Sequence, residues 1–166
     1  MKIEKLTAKN LQEFRSIRLE ALRLEPQAFG DTYEVLDKKN DNFWIKQLSS
    51  KSQVWYGAYA GDSIVGIGSI KYAKALKFNH IAHLSGIYVK KEYRGQGIGK
   101  LLFKTRIDEA FNNEKIKKLK LIVNISQTNA IGLYESYGFK KVGDLEAEFK
   151  IGNIFYDAYL MELFKK

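Results

Sequence analysis

The chain contains no cysteine. That absence removes disulfide bonds, thiolate nucleophiles and every metal site built on sulfur ligands. Histidine is nearly as scarce: His80 and His83 are the two imidazoles, and no HExxH-type spacing of metal ligands is present, so no metal is expected. Proline occurs once, at Pro26, and 45% of the residues are apolar, which suits a packed domain rather than a disordered chain. No apolar run approaches the ~18 residues of a membrane span, and Met1-Lys2-Ile3-Glu4-Lys5 lacks a signal peptide's apolar centre. The expected location is the cytoplasm, with no membrane partner. Acidic residues are in deficit, 19 against 28 lysines and arginines, for a formal net charge of +9. Such a field attracts anions. The basic residues are nevertheless spread along the chain, and the one tract, Lys115-Ile116-Lys117-Lys118-Leu119-Lys120, reads as a solvated face beside an entering strand. No nucleic-acid module is recognisable, and a polyanionic cofactor benefits equally from the charge.

At 166 residues the chain fits one domain, spanning 1–166. Residues 2–6 read as a first strand. Thr7 is a helix cap, with a second cap at Asn10, where Glu13 completes a capping box. Leu11, Phe14, Ile17, Ala21 and Leu24 recur at helical spacing, and Pro26 closes that helix. Residues 27–39 read as loop with some helix, and Phe43, Trp44, Ile45 and Leu48 as a short second helix. Strands are expected over 54–60, 64–72, 81–89, 119–123, 139–142 and 154–164. Two more helices are expected, one carrying Ile98, Leu101, Leu102, Ile107, Ala110 and Phe111, the other over 128–137 and closed by Gly138. The order predicts an α/β domain with a mixed, mainly antiparallel sheet flanked by helices.

The densest signal is Tyr93-Arg94-Gly95-Gln96-Gly97-Ile98-Gly99-Lys100, directly after the apolar run ending in Ile87-Tyr88-Val89. A strand feeds a glycine-rich turn, and the turn opens a helix whose first amides lack partners, which is the chemistry of an anion cradle. A P-loop is excluded because Leu101 stands where its Ser or Thr would bind magnesium. A dinucleotide fingerprint is excluded because its third glycine is misplaced and no acidic ribose ligand stands near Val123-Asn124.

Arg94-Gly95-Gln96-Gly97-Ile98-Gly99 resembles the acetyl-CoA motif of GCN5-related N-acetyltransferases, Gln/Arg-x-x-Gly-x-Gly/Ala. The family's second signature is similar to Asn129-Ala130-Ile131-Gly132-Leu133-Tyr134-Glu135-Ser136-Tyr137-Gly138-Phe139. The two motifs stand in the expected order, and the resemblance in element order covers roughly residues 2–164. It implies an acetyl-CoA N-acyltransferase-like fold using acetyl-CoA and releasing CoA. It also implies a cofactor site made of the main chain of Ile87, Tyr88 and Val89 for the pantetheine arm and of Arg94, Gly95, Gln96, Gly97, Ile98, Gly99 and Lys100 for the pyrophosphate. Asn124, Asn129 and Tyr134 complete that set. Two splayed strands would leave main-chain groups free to pair with the amide-rich arm.

Acetyl transfer to an amine needs a neutral nitrogen, an acceptor for its proton and an acid for the departing thiolate. Tyr134 is the candidate acid. Many family members carry a glutamate on the strand before the glycine motif; this chain has none there and places His83 and Ser85 instead, and aralkylamine acetyltransferases of the superfamily resemble it in placing histidines at the matching positions. His83 is the candidate base, with Ser85 orienting a water. Period-two alternation puts His83, Ser85 and Ile87 on one face unless a bulge resets it. Glu25, Asp31 and Glu34 lie in the acceptor-side segment. Aromatic residues between 29 and 56 are candidates to frame the acceptor, and an amide near Ile87–Val89 to stabilise developing negative charge. The implied reaction is direct attack by a primary amine of a small molecule in a ternary complex, since no cysteine can carry the acetyl group. The alternatives are a protein or peptide N-terminus as acceptor, or a CoA-binding regulatory domain without turnover. A homodimer is a further expectation.

Overall fold

The computed structural model describes residues 1–165. One seven-stranded sheet, in the order β1-β2-β3-β4-β5-β7-β6, runs through the molecule. Its strands are β1 (Lys2–Lys5), β2 (Gln53–Ala60), β3 (Ser63–Tyr72), β4 (Ile81–Val89), β5 (Lys118–Asn124), β6 (Lys140–Ile151) and β7 (Ile154–Phe164). The helices are α1 (Leu11–Leu24), α2 (Tyr33–Asp37), α3 (Asp41–Leu48), α4 (Ile98–Asn112) and α5 (Thr128–Ser136). All neighbouring pairs are antiparallel except β4–β5. None of the helices described is long and apolar enough to cross a membrane.

Helices cover both faces of the sheet, which explains why β2 and β3 read as near-continuous apolar runs. On one face, Phe14, Ile17, Ala21 and Leu22 of α1 pack with Trp44 of α3, Trp55, Ile67 and Tyr88. On the other, Leu102, Phe103, Ile107 and Ala110 of α4 pack with Tyr134 of α5, Leu84, Leu119 and Met161. The expected helical phase holds at Phe14, Ile17 and Ala21 and at Ile98, Leu102, Ile107 and Ala110, and fails at one apolar position in each helix. Leu24 is 54% exposed while Leu22 is buried, and Leu101 is 40% exposed while Phe103 is buried. Positions 98, 102, 103, 106, 107 and 110 form the inner stripe of α4, and Arg106 stands in it.

Three local departures have physical causes. Asn10 turns its side chain back to the Thr7 amide, closing a capping box around the short 3-10 turn 8–10, and gives α1 no side-chain cap. Strand β6 extends far beyond the expected 139–142 because its ladder to β7, rather than any apolar alternation, defines it; most of its residues are exposed. Between Leu145 and Phe149 that ladder slips, with Ala147 at φ 52° and its amide donating to Asp157 Oδ1 at 2.8 Å. A further short helix, α2, falls inside the segment expected to be loop with some helix.

The feature that positions the site is a split in the sheet. Strands β4 and β5 pair only at Ile81↔Lys118, Ala82↔Leu119 and His83↔Lys120, and from Leu84 to Val89 β4 has no ladder partner on that side.

Candidate active site

Within β4, Ser85 pairs with Ser69 and Tyr88 with Ile67, so three steps on β4 oppose two on β3. The extra residue is accommodated at Gly86, whose φ is +66°. Trp55 lies so close that a Cβ at Gly86 would stand 2.9 Å from its Cη2, and only glycine satisfies both constraints. The bulge resets the alternation and corrects the expectation for Ile87. His83, Ser85 and Tyr88 face the α1 side, whereas Ile87 packs with Leu84 against the α4 side.

Two cavities meet at this bulge. The larger, about 540 Å³, lies on the α1–α3 side and is lined by Arg18, Phe29, Trp44, Trp55, His83 and Glu148 among others. The smaller, about 70 Å³, lies on the α4–α5 side and is lined by Ile87, Arg106, Asn124, Ala130 and Tyr134 among others. Leu84, Ser85, Gly86, Leu121, Ile122 and Phe149 line both. The split between β4 and β5 is therefore an opening through the sheet, with His83 on one side and Tyr134 on the other.

Tyr134 is 6% exposed and packs on Phe103 with ring centroids 4.7 Å apart. Its hydroxyl makes no hydrogen bond among the described residues, which leaves it free for a ligand. Burial raises its pKa, and the nearby Arg106 opposes that rise. His83 sits in a cross-strand row between Lys71 and Lys120. Partial burial first, and then these two ammonium groups, depress its pKa, so the imidazole is held neutral at neutral pH. Ser85 Oγ shares a 2.9 Å hydrogen bond with Ser69 Oγ, which also accepts from Gln53 Nε2 at 3.3 Å. His80 is exposed and lines neither cavity.

The glycine loop has the properties of a cradle. Gly95 and Gly97 take φ values of +76° and +79°, and a Cβ at either would meet nothing within 4 Å. The constraint is thus conformational, and the space above the backbone is open. Among the described residues, the N–H groups of residues 95–100 have no acceptor, while Ile98 fixes the loop by burying its side chain. Arg94 folds back: its guanidinium donates to Val89 O at 2.9 Å and to Glu25 Oε1 at 2.8 Å. Glu25 is thereby engaged outside the larger cavity, and Glu34 lines a different depression; of the three acceptor-side acids, Asp31 alone reaches the larger cavity. Tyr88 buries its ring and donates its hydroxyl to Glu20 Oε1 at 2.8 Å, which leaves only its main chain for a ligand. Gln96 and Lys100 are exposed, with Gln96 Nε2 bonded to Glu92 O.

The residues fit a pantetheine-bearing cofactor on one more count. Asn124 is 2% exposed, its Oδ1 accepts from the Ser126 amide at 2.9 Å, and its Nδ2 is buried without a partner beside the smaller cavity. A buried amide donor left without an acceptor costs roughly 1–3 kcal/mol, so a carbonyl at this spot is favoured. Asn129 is exposed and lines neither cavity; Gln127 and Ala130 of the same segment line the smaller one.

Four contributors were not singled out from the sequence. Arg106 and Arg18 occupy inner positions of α4 and α1 and line the smaller and larger cavity respectively. A charge inside an apolar helical stripe is the signal that marks both. Ser69 and Phe149 carried no signal: the first is an inward serine on a buried strand, the second is turned to the cavity by the β6 slip.

A family model described as an acetyltransferase (GNAT) domain matches residues 22–154. The chain is 30% identical to an N-alpha-acetyltransferase of Saccharolobus solfataricus over 72% of its length and 74% of the relative's. It is 30% identical to the spermidine N(1)-acetyltransferase of Escherichia coli over 82% and 72% of the two chains. It is 23% identical to the L-amino acid N-acetyltransferase AaaT of Escherichia coli over 90% and 91%. Among solved structures, a GNAT-family acetyltransferase from Streptococcus pneumoniae superposes with TM-score 0.84 at 27% identity, covering 99% of both chains. A putative acetyltransferase from Salmonella typhimurium, solved with its cofactor acetyl-CoA, superposes with TM-score 0.84 at 15% identity over 99% and 93%.

Proposed function

Because the chain belongs to the GNAT acetyltransferase family and is an acetyl-CoA-dependent N-acetyltransferase, we propose that it acetylates the primary amine of a small molecule by direct attack in a ternary complex. The observation that carries this reading is the opening through the sheet. Tyr134 lines the cavity on the α4 side, His83 the cavity on the α1 side, and Ser85 and Gly86 line both. An acceptor and a thioester arriving from opposite faces would meet there, so no covalent relay is required, and the chain has no cysteine to provide one.

The amides of residues 95–100 would hold the pyrophosphate, and the unpaired main chain of Ile87–Val89 with Asn124 Nδ2 would hold the pantetheine amides. Exposed Lys100 and Asn129, at the starts of α4 and α5, stand beside that path. When bound, acetyl-CoA supplies an acetyl group activated as a thioester. His83 accepts the amine's proton on its unprotonated ring nitrogen, directly or through a water held by Ser85 Oγ. Tyr134 Oη, on the wall of the smaller cavity, would donate to the cofactor's sulfur as negative charge develops and would supply the proton that the departing thiolate takes up. Main-chain N–H groups of β4 left without a ladder partner beyond the bulge would be the donors for negative charge developing on the acetyl oxygen.

The aromatic walls and the 540 Å³ volume support a small acceptor, as does the likeness to the amino acid and spermidine acetyltransferases. The likeness to the archaeal N-alpha-acetyltransferase favours a peptide N-terminus as the second reading. CoA release measured across polyamines, aralkylamines, amino acids, aminoglycosides and short peptides tests the proposal. Turnover of peptides alone would overturn the small acceptor, and tight CoA binding without any turnover would leave a regulatory domain. The reading also places the enzyme in the cytoplasm and lets it self-associate along the exposed edge of β6, which sedimentation velocity tests.

A further inference from the structure

Among the described residues, four buried side-chain polar atoms lack a hydrogen-bond partner, and three of the side chains that bear them line the larger cavity: Arg18 Nη1, Trp44 Nε1 and Trp55 Nε1. Arg18 is the unusual member. It sits on the inner stripe of α1 and is 5% exposed, with its guanidinium over the Phe29 ring at 4.6 Å and the Trp55 ring at 5.2 Å. Of the five N–H donors a guanidinium carries, one is used, from Nη2 to Asp31 Oδ2 at 2.7 Å. A cation buried so deeply costs free energy unless its donors are met, and Asp31, with its side chain 57% exposed, meets only one edge. The charges on the cavity wall are of both signs: Arg18 and Lys71 against Asp31 and Glu148, with a neutral His83. A dicationic polyamine is poorly served by such a wall. A zwitterion is well served.

We propose that the acceptor is an amino acid or a similar zwitterion, whose carboxylate is taken by Arg18 while its amine lies at Ser85 and His83. This rests on the larger cavity being the acceptor site. A planar fork matches a carboxylate in two hydrogen bonds, which an ammonium on the same stem would not reproduce. In this conformation the aromatic rings cover Nη1. A carboxylate reaches the guanidinium by replacing the exposed Asp31 on Nη2, and the exposed Gly30 beside Asp31 lets that carboxyl swing out.

The test compares matched acceptors on the same enzyme: L-phenylalanine against phenethylamine and phenylalaninamide, and L-methionine against 3-(methylthio)propylamine, with spermidine and a short peptide alongside. The amino acids are expected to exceed their carboxylate-free twins in kcat/KM by at least about tenfold, which corresponds to ~1.4 kcal/mol of selective binding. Arg18→Lys and Arg18→Met are expected to raise KM for the amino acids about tenfold or more and to erase their preference over the amine twins, leaving acetyl-CoA affinity within about twofold. Asp31→Asn, which keeps the guanidinium, is expected to retain the preference even if the Arg18 variants fold poorly. Equal efficiency for acid and amine twins, or loss of all acceptors together in folded Arg18 variants, would overturn the inference while the small-amine reading stands. Acetylation of the peptide alone would overturn both.

Discussion

Arg106 donates through Nη1 to the main-chain oxygen of Ser85, 3.1 Å away, from within the apolar face of α4. The same nitrogen reaches Ser69 O at 3.2 Å, and Nε reaches Leu102 O at 3.4 Å, so this 1% exposed cation is held by carbonyls without a carboxylate. Gly68 makes room for it, since a Cβ there would lie 2.8 Å from the guanidinium carbon. Burial pulls its pKa down to about 10, which still leaves it charged at neutral pH. The arrangement ties β3 to β4 at the Ser69–Ser85 end of the bulge and sets a positive charge in the cavity that Tyr134 lines.

Two effects oppose each other in Arg106→Met. Removing a buried charge relieves desolvation, whereas Ser69 O and Ser85 O lose donors worth roughly 1–3 kcal/mol each. Ser85 O retains Ser69 Oγ, so the net change in unfolding free energy is expected within about 2 kcal/mol. The single-turnover transfer rate is expected to fall by at least about tenfold with acetyl-CoA affinity less affected, and Arg106→Lys to recover part of it. Parallel losses of stability and rate, without recovery by lysine, would reduce Arg106 to a packing residue.

The cradle makes a separable prediction. Gly97→Val forces a β-branched residue into φ +79°, at a cost of roughly 1–2 kcal/mol, yet its Cβ meets nothing within 4 Å. The protein should fold and the loop should leave the left-handed region, turning its amides away. Titration calorimetry should show CoA binding weakened by at least about tenfold in a protein with a cooperative melt. Unchanged affinity would remove the pyrophosphate assignment.

The contrast between what the sequence revealed and what it hid follows from these same residues. β4 was legible to its ends, Ile81 and Val89, because its apolar run stops at the glycine motif. The glycine loop was legible because its chemistry is local. The bulge at Gly86 was not, since a glycine between Ser85 and Ile87 leaves a period-two pattern formally intact. Its cause is non-local: Trp55 from β2 fills the space a side chain would need. Arg18 and Arg106 were hidden differently, since neither belongs to the apolar repeat of its helix, although helical phase places both inside.

Tyr134→Phe isolates one oxygen. The hydroxyl has no protein partner among the described residues and the ring packing on Phe103 is kept, so stability should change by less than about 1 kcal/mol. The transfer step should slow on the order of 10²-fold, as loss of a positioned acid does. Slow product release can mask that in steady state, so the measurement is single-turnover. A parental single-turnover rate would eliminate Tyr134 as the acid.

His83 gives the pH dependence its sign. Its pKa is depressed by partial burial and then by Lys120 and Lys71, so the imidazole stays neutral, and able to accept a proton, below the ordinary value near 6.5. The folded protein then binds fewer protons than the unfolded chain in that window. Stability and transfer should both decline as pH falls through the lowered pKa, and both should be flat above the ordinary value apart from ionisation of the acceptor. His83→Gln should slow transfer near pH 7 and flatten the acidic limb, while His80→Gln, exposed and outside both cavities, should leave it in place. Lys120→Met supplies the decisive arm: it removes one ammonium from the row without touching the ring, so the limb should move upward toward 6.5. A limb that ignores Lys120→Met and survives His83→Gln would place the proton acceptor elsewhere, with the hydrogen-bonded Ser69–Ser85 pair as the next site to examine.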